Sequence, residues 1–478
     1  MPHPADLSAT AAVAAIRKGR LTSEALVRAC LERIAMRDPH VRAFVDLQAD
    51  TALARARQLD ARGPRDDEPL FGVPVAIKET IDVAGYRCPW GTPIHAPRIP
   101  AADAAAVAQL KKAGAVILGT VVSTEYAVAA AGPTTNPHDP SRSPGGSSSG
   151  SAAAVAAAMV PLALASQGIG CIVRPSIYCG VLGLKPTKGA ISTRGCMPLA
   201  QVLDHVGPMA RTAEDIALAC RILFSPDPDD PSPCTIAPPE DATASPSHVL
   251  EAIGPLRSRV GRGSAAAVRQ AVSSLRKAGL PVSRIELPLD FDRIEWVAYT
   301  LLCRGIAQNH GAERDLHGER MSESLRALVD RGRAVTNREH ARALRLARQF
   351  GEQLAAMLPP GTVMVTAAVD DVAPPIDQGT GCPLLQGLAT VAGLPALAVP
   401  CARHDGLPVG VQLVAGHGQE GVLLAAARKI LATSSRGLLS ERRHPGGTVG
   451  PECKAGDGRI HRGVALEFQG EKSPSLGR

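Results

Sequence analysis

Aromatic side chains are scarce in this chain: 2 Trp, 4 Tyr and 6 Phe, or 3% of 478 residues. Few rings are on hand to stack on bases, and no Lys/Arg block offers a stripe for a phosphate backbone. Charge of one sign is in short supply too. The 52 basic residues exceed the 45 acidic ones by a net +7, which reads as a mildly basic, solvated surface with no nucleic-acid contact expected. None of the 11 cysteines forms a CxxC pair. An odd, scattered set in a long chain points to a reducing compartment and not to a disulfide framework. The 13 histidines form no HxxxH and no Cys/His cluster, so neither metal nor cofactor is expected. The first residues, MPHPADLSATAAVAAIRKGR, lack the apolar core of a signal peptide. The longest uncharged stretch, between Arg142 and Arg174, is broken by GGSSSG and Pro161, which no simple membrane span would carry. The expected location is cytoplasmic. No internal repeat is visible.

What is present is an ordinary globular balance, 45% hydrophobic and 20% charged. Length alone suggests two or three domains, but large α/β enzymes often fold as one unit. The expectation is one domain over 1–433. A Pro/Asp/Ser-rich surface excursion falls at 225–247, and a Gly/Arg/Ser/Pro-rich, poorly ordered tail at 434–478. Residues 20–36 predict a helix capped by Thr22 or Ser23, with Val27, Cys30, Leu31 and Ile34 on one face. A second helix follows at 50–62. Val73 to Ile77 reads as a buried strand that delivers Lys78 at its end. A helix at 102–113 and a strand at 115–119 continue the alternation. Residues 132–150 read as loop. The run SAAAVAAAMV that follows predicts a helix of small side chains, which lets other backbone come close and places it centrally. LALAS (162–166) is a strand and QGIGC a tight turn. Residues 264–354 read as mainly helical, and regular patterning resumes at VMVTAA (363–368) and GLPALAVP (393–400). This alternation implies a largely parallel sheet with helices on both faces.

Two features could carry chemistry. GGSSSGS (145–151) is weak evidence by itself, since Ser/Gly linkers are common. It lacks the GK[ST] ending of a phosphate loop. Its hydroxyls and N–H groups nevertheless sit just before a helix and can point at one site. Lys78 could snorkel or pair with Glu79. Buried among apolar neighbours, it would instead have a lowered pKa and act as a base.

Five stretches taken together resemble the amidase signature family: GVPVAIKETIDVAG (72–85), NPHDPSRSPGGSSSGSAAAVAA (136–157), CGVLGLKPTKGAIS (179–192), LDHVGPMART (203–212) and GLPVGVQLVA (406–415). The resemblance spans roughly residues 5 to 430 and implies an α/β amidase-signature fold, a large mixed twisted sheet with helices on both faces. It further implies a relay of a lysine, a serine on a cis peptide and a nucleophile. By resemblance Lys78 is the base, Ser147 the bridging serine and Cys171 the nucleophile, with oxyanion N–H groups from Gly168, Ile169, Gly170 and Cys171. Substrate would be attacked at its amide carbon, ammonia released, and an acyl-enzyme cleared by water.

The pattern is broken in places. The family nucleophile is serine, and here it is Cys171, which either forms a thioester or is a small buried residue in a silent site. Ile169 stands where the family has a small residue. A left-handed backbone there would strain a β-branched side chain. Glu79 replaces a frequent Asp, and VTAAV (365–369) lacks a frequent Pro. Arg174 resembles the arginine of the malonamidase and carboxybiuret-type subgroup, which holds a substrate carboxylate. The other reading is that it pairs with a protein acid and shapes the loop. Asp204 and His205 are adjacent and do not form a Ser-His-Asp relay. Cys179 and Cys196 read as core or loop residues. The expectation is hydrolysis of a small, carboxylate-bearing amide. Beside it stand a silent family member that binds a small acid or serves as a subunit, and the A subunit of a tRNA-dependent amidotransferase. Dimers are common among relatives, so the resemblance leaves a homodimer possible without fixing the oligomeric state.

Overall fold

The computed structural model describes residues 3–230, 236–238, 245–253, 259–287 and 290–438. Eleven strands form one sheet: β1 (Phe44–Leu47), β2 (Pro74–Lys78), β3 (Val116–Val121), β4 (Leu162–Gln167), β5 (Leu182–Lys185), β6 (His205–Ala210), β7 (His248–Ile253), β8 (Val282–Glu286), β9 (Thr362–Ala367), β10 (Ala396–His404) and β11 (Leu407–Val414). Their order is β1-β3-β2-β4-β6-β5-β10-β11-β9-β7-β8. Helices pack against the sheet and bury three clusters of apolar side chains.

The sheet is mixed, as the family resemblance implied, and not largely parallel as the strand–helix alternation suggested. β2 runs parallel to β3 and β4, and β7 runs parallel to β8 and β9. The other pairs are antiparallel. A fully buried strand shows no alternation of apolar and polar residues, so its direction leaves no trace in the sequence. The β10–β11 hairpin turns through Asp405 and Gly406 at φ 50° and 75°, the Asp-Gly chemistry suited to a tight two-residue hairpin.

The helix predicted over 20–36 runs Ser23–Val41, capped by the Thr22 hydroxyl, and buries Leu26, Val27, Cys30 and Ile34; Leu31 is only partly covered. The 264–354 region holds four long helices, Arg262–Lys277, Phe291–His317, Glu323–Ala334 and Asn337–Ala356, but β8 interrupts it. β8 escaped notice because it is a half-exposed edge strand without a buried face. The helix of small residues runs Ser149–Ala156. It lies between β4 and the Val173–Cys179 helix and is buried through Val155. A side chain on Gly150 would collide with the Val122 nitrogen and the Ala43 carbonyl. The first part of the 225–247 excursion folds back: Asp227 accepts from Ser192 Oγ at 2.7 Å and from Arg194 Nε at 2.9 Å. The last helix runs Glu420–Leu438, past the boundary expected at 433, and the tail beyond it lies outside the described residues. Among the described residues no helix is long and apolar enough to cross a membrane.

Candidate active site

The site forms where parallel strands β2 and β4 end side by side, the edge at which open α/β sheets receive ligands. β2 ends at Lys78, which has no exposed surface. Its Nζ donates to Ser147 Oγ at 2.7 Å and to Ser166 Oγ at 3.0 Å. The Gly146–Ser147 peptide is cis. Glu79 does not pair with this lysine. Its carboxylate accepts from Ser123 N at 2.6 Å and Gly91 N at 3.0 Å, so it braces two loops. Burial pulls Lys78 down to about 8, against the charges of Cys171 and Glu79.

β4 ends at Gln167 and leads into the turn 168–172. Gln167 pins this turn from inside. Its Oε1 accepts from Ile172 N at 2.8 Å and Val173 N at 3.2 Å, and its Nε2 donates to Thr390 Oγ1 at 2.9 Å. Thr390 Oγ1 donates in turn to the Ile169 carbonyl at 2.7 Å. The carbonyl is thus held inward. The N–H groups of Ile169, Gly170 and Cys171 meet no protein acceptor among the described residues. A side chain at Gly170 would run into Gln386. Ile169 is not among the residues with positive φ, so its branched side chain carries no left-handed strain, and it packs into the core beside Gly387.

Cys171 is 8% exposed and its Sγ lies 3.8 Å from the Ala127 carbonyl. Burial acts to raise this thiol. The Lys78 and Arg174 cations and hydrogen bonding by Ser147 outweigh burial and bring it down to about 7. Lys78, Ser147 and Cys171 are therefore drawn together from three separate segments. Arg174 is buried, and its Nη2 donates to the Gly146 carbonyl at 2.7 Å and to Thr380 Oγ1 at 3.3 Å. Its Nε and Nη1 have no partner, and no carboxylate pairs with it among the described residues. Ser147, Gly168, Ile169, Cys171 and Arg174 all face one cavity of about 710 Å³.

Asp204 and His205 point to different partners. Asp204 accepts from Leu199 N and Ala200 N, while His205 Nδ1 faces the Leu203 carbonyl. Cys179 is buried, with its Sγ 3.4 Å from the Pro144 carbonyl. Cys196 lines a separate cavity of about 380 Å³. Ser166, Gln167, Thr390 and Ala127 were not singled out from sequence. A serine closing the strand LALAS was the only local sign of any of them. Among the described residues no group of three or more His, Cys, Asp or Glu side chains is placed to hold a metal ion.

The family model for amidases matches residues 25–424. The chain belongs to the amidase signature family. Its curated relatives include the glutamyl-tRNA(Gln) amidotransferase subunits A of Chloroflexus aurantiacus and of a Roseiflexus species. Each is 34% identical; the matches cover 87% and 86% of this chain and 94% and 93% of the relatives. Similar solved structures include a vestigial protein complex bearing on the origins of an s-triazine catabolic enzyme, with TM-score 0.82 and 30% identity over 90% of this chain and 98% of that one. The native peptide amidase of Stenotrophomonas maltophilia matches with TM-score 0.80 and 29% identity over 91% and 98%. Membership carries cleavage of amide bonds as the class of activity.

Proposed function

We propose that this amidase hydrolyses a small amide bearing a carboxylate, through a thioester on Cys171. The observation that carries the reading is the bond from Lys78 Nζ to Ser147 Oγ beside a cavity that Ser147, Cys171 and Arg174 line together.

A thiol near 7 beside a lysine near 8 places the relay's proton within reach of both ends at neutral pH. The thiolate attacks the amide carbon, and the oxyanion develops against the N–H groups of Ile169, Gly170 and Cys171. Sulfur leaves a tetrahedral intermediate more readily than an amide anion does. The C–N bond therefore breaks only when nitrogen is protonated. Lys78 supplies that proton through Ser147, and ammonia departs. Water, deprotonated by the same relay, then cleaves the thioester. The unpartnered Nε and Nη1 of Arg174 suit a substrate carboxylate, while its bond to the Gly146 carbonyl keeps Ser147 in place.

The test is ammonia release from malonamate, glutamine and simple aliphatic and aryl amides by the natural protein and by Cys171→Ser. The expected result is release by the natural protein, fastest with malonamate and abolished by thiol alkylation. Silence in both proteins on every amide would sink the hydrolase and favour a silent, acid-binding member of the family. A second reading, the A subunit of a tRNA-dependent amidotransferase, draws support from the names of the relatives at 34% identity. It predicts glutamine as the preferred amide and co-purification with a partner subunit.

A further inference from the structure

The turn that carries Ala127 lies outside the relay, yet its backbone is held where side chains are disfavoured. Tyr126 (φ 45°, ψ 33°) and Ala127 (φ 56°) are consecutive left-handed residues, and neither is glycine. Such a pair persists only where its surroundings over-determine it. Backbone bonds supply part of the restraint. Tyr126 N donates to the Trp90 carbonyl at 2.9 Å, Ala127 N to the Thr124 carbonyl at 2.9 Å, and Thr124 N to the Ser147 carbonyl at 3.1 Å.

The rest comes from side chains that the mechanism does not use. The Tyr126 ring meets His310 edge-on at 4.9 Å between centroids, His95 at 5.8 Å and Trp90 at 6.4 Å. Glu313 ties the two histidines together: Oε1 lies 2.8 Å from His95 Nε2, and Oε2 lies 3.1 Å from His310 Nδ1. The other nitrogen of His310 lies 2.8 Å from the Pro198 carbonyl. Both its nitrogens therefore face oxygen atoms, one of Glu313 and one of the backbone. Burial acts against a charge on Glu313, but bonds from His310 and His95 hold its carboxyl well below the usual range. The Tyr126 hydroxyl is buried facing Glu313, outside hydrogen-bond geometry, with Glu125 and Arg320 as the next charges. At the far end of the turn, the Ala127 carbonyl faces Cys171 Sγ.

We propose that Glu313, through His95 and His310, is a positioning residue for the Cys171 thiol, acting by way of the Tyr126–Ala127 turn. A carbonyl facing S–H favours the thiol over the thiolate. The turn thus opposes Lys78, Arg174 and Ser147, and it fixes where the sulfur sits. Without Glu313 the histidines lose their common acceptor and the left-handed turn relaxes. The carbonyl withdraws, and the thiol gives up its proton more easily.

The proposal takes Cys171 as the reacting thiol, and its test reads that thiol directly. Alkylation of the full chain by iodoacetamide is followed across pH at the Cys171 peptide by mass spectrometry. In Glu313→Gln the midpoint falls by about half a unit, and the rate below it rises about threefold. Glu313→Asp restores most of the shift. A purely structural role would lower the melting temperature and leave the midpoint where it was; that outcome in Glu313→Gln overturns the proposal. Should this variant not fold, His310→Gln takes its place with the same expected shift and the same overturning result. A shifted midpoint in a chain that releases no ammonia from any amide would sink the hydrolase and leave the positioning role standing.

Discussion

The two halves of the site are held in different ways. Lys78 and Ser147 form a stiff half: a buried strand end whose amine is fixed by Ser147 and by both oxygens of Ser166. Cys171 belongs to a second half, a turn secured from inside by Gln167 and Thr390. Its S–H makes one weak contact, to the Ala127 carbonyl, while Ser147 supplies hydrogen bonding to the sulfur. Lys78 and Ser147 stand in the stiff half as the resemblance expects, with Glu79 as its departure, and the departures at 169 and 171 fall in the other half. A charged group buried without fixed partners is costly, so the lysine's surroundings tolerate little change. The turn presents backbone N–H groups, so residues at 169 and 171 can change while those donors stay in place.

The largest expected effect tests the stiff half. Lys78→Met should lower kcat/KM for ammonia release on the order of a thousandfold, as loss of a relay member does. It should also move Cys171 alkylation. The Lys78 cation helps to pull the thiol down to about 7, so removing it raises the midpoint. Alkylation at pH 7 then slows and recovers at higher pH. A thousandfold loss with an unmoved midpoint would separate lysine from sulfur and break the comparison. In the natural protein, alkylation should climb as pH passes upward through about 7 and then level off.

The intermediate effect concerns the clamp. Thr390→Val keeps the shape and removes the hydroxyl that holds the Ile169 carbonyl. A loosened oxyanion turn should reduce kcat by about ten- to a hundredfold with KM little changed. An unchanged kcat would mean that the turn keeps its form without help. The smallest catalytic effect is expected at Ile169 itself. Its backbone is not left-handed and its side chain is 5% exposed in the core. Ile169→Ala should therefore cost about 2–4 kcal/mol of unfolding free energy by denaturant titration, with turnover kept within a few fold. A large gain in turnover would show that the isoleucine obstructs the oxyanion site.

Much of the stiff half was legible because its signals are local. VPVAIK is a buried run that ends in a charge, and GGSSSG stands directly before a helix. Lys78, Ser147 and Cys171 were identified by resemblance, and the structure draws them into one cluster. What escaped was non-local. Gln167 and Thr390 meet across 223 positions, and Ala127 reaches Cys171 across 44. No spacing rule records such pairs. The same limit applies to the sheet: β5 and β6 are short and buried on both faces, so neither their pairing nor their direction shows as a pattern. Glu79 shows the opposite case, in which a neighbouring charge suggested an ion pair and the side chain turned to backbone N–H groups instead.

The Gln167–Thr390 bond also orders events in time. A chain emerging from the ribosome presents Lys78, Ser147 and Cys171 long before Thr390 has been made. Until that residue arrives, the Ile169 carbonyl has no hydroxyl to hold it inward. The half-finished protein therefore holds Cys171 on a turn that is not yet clamped, and the clamp closes only once Thr390 has been made.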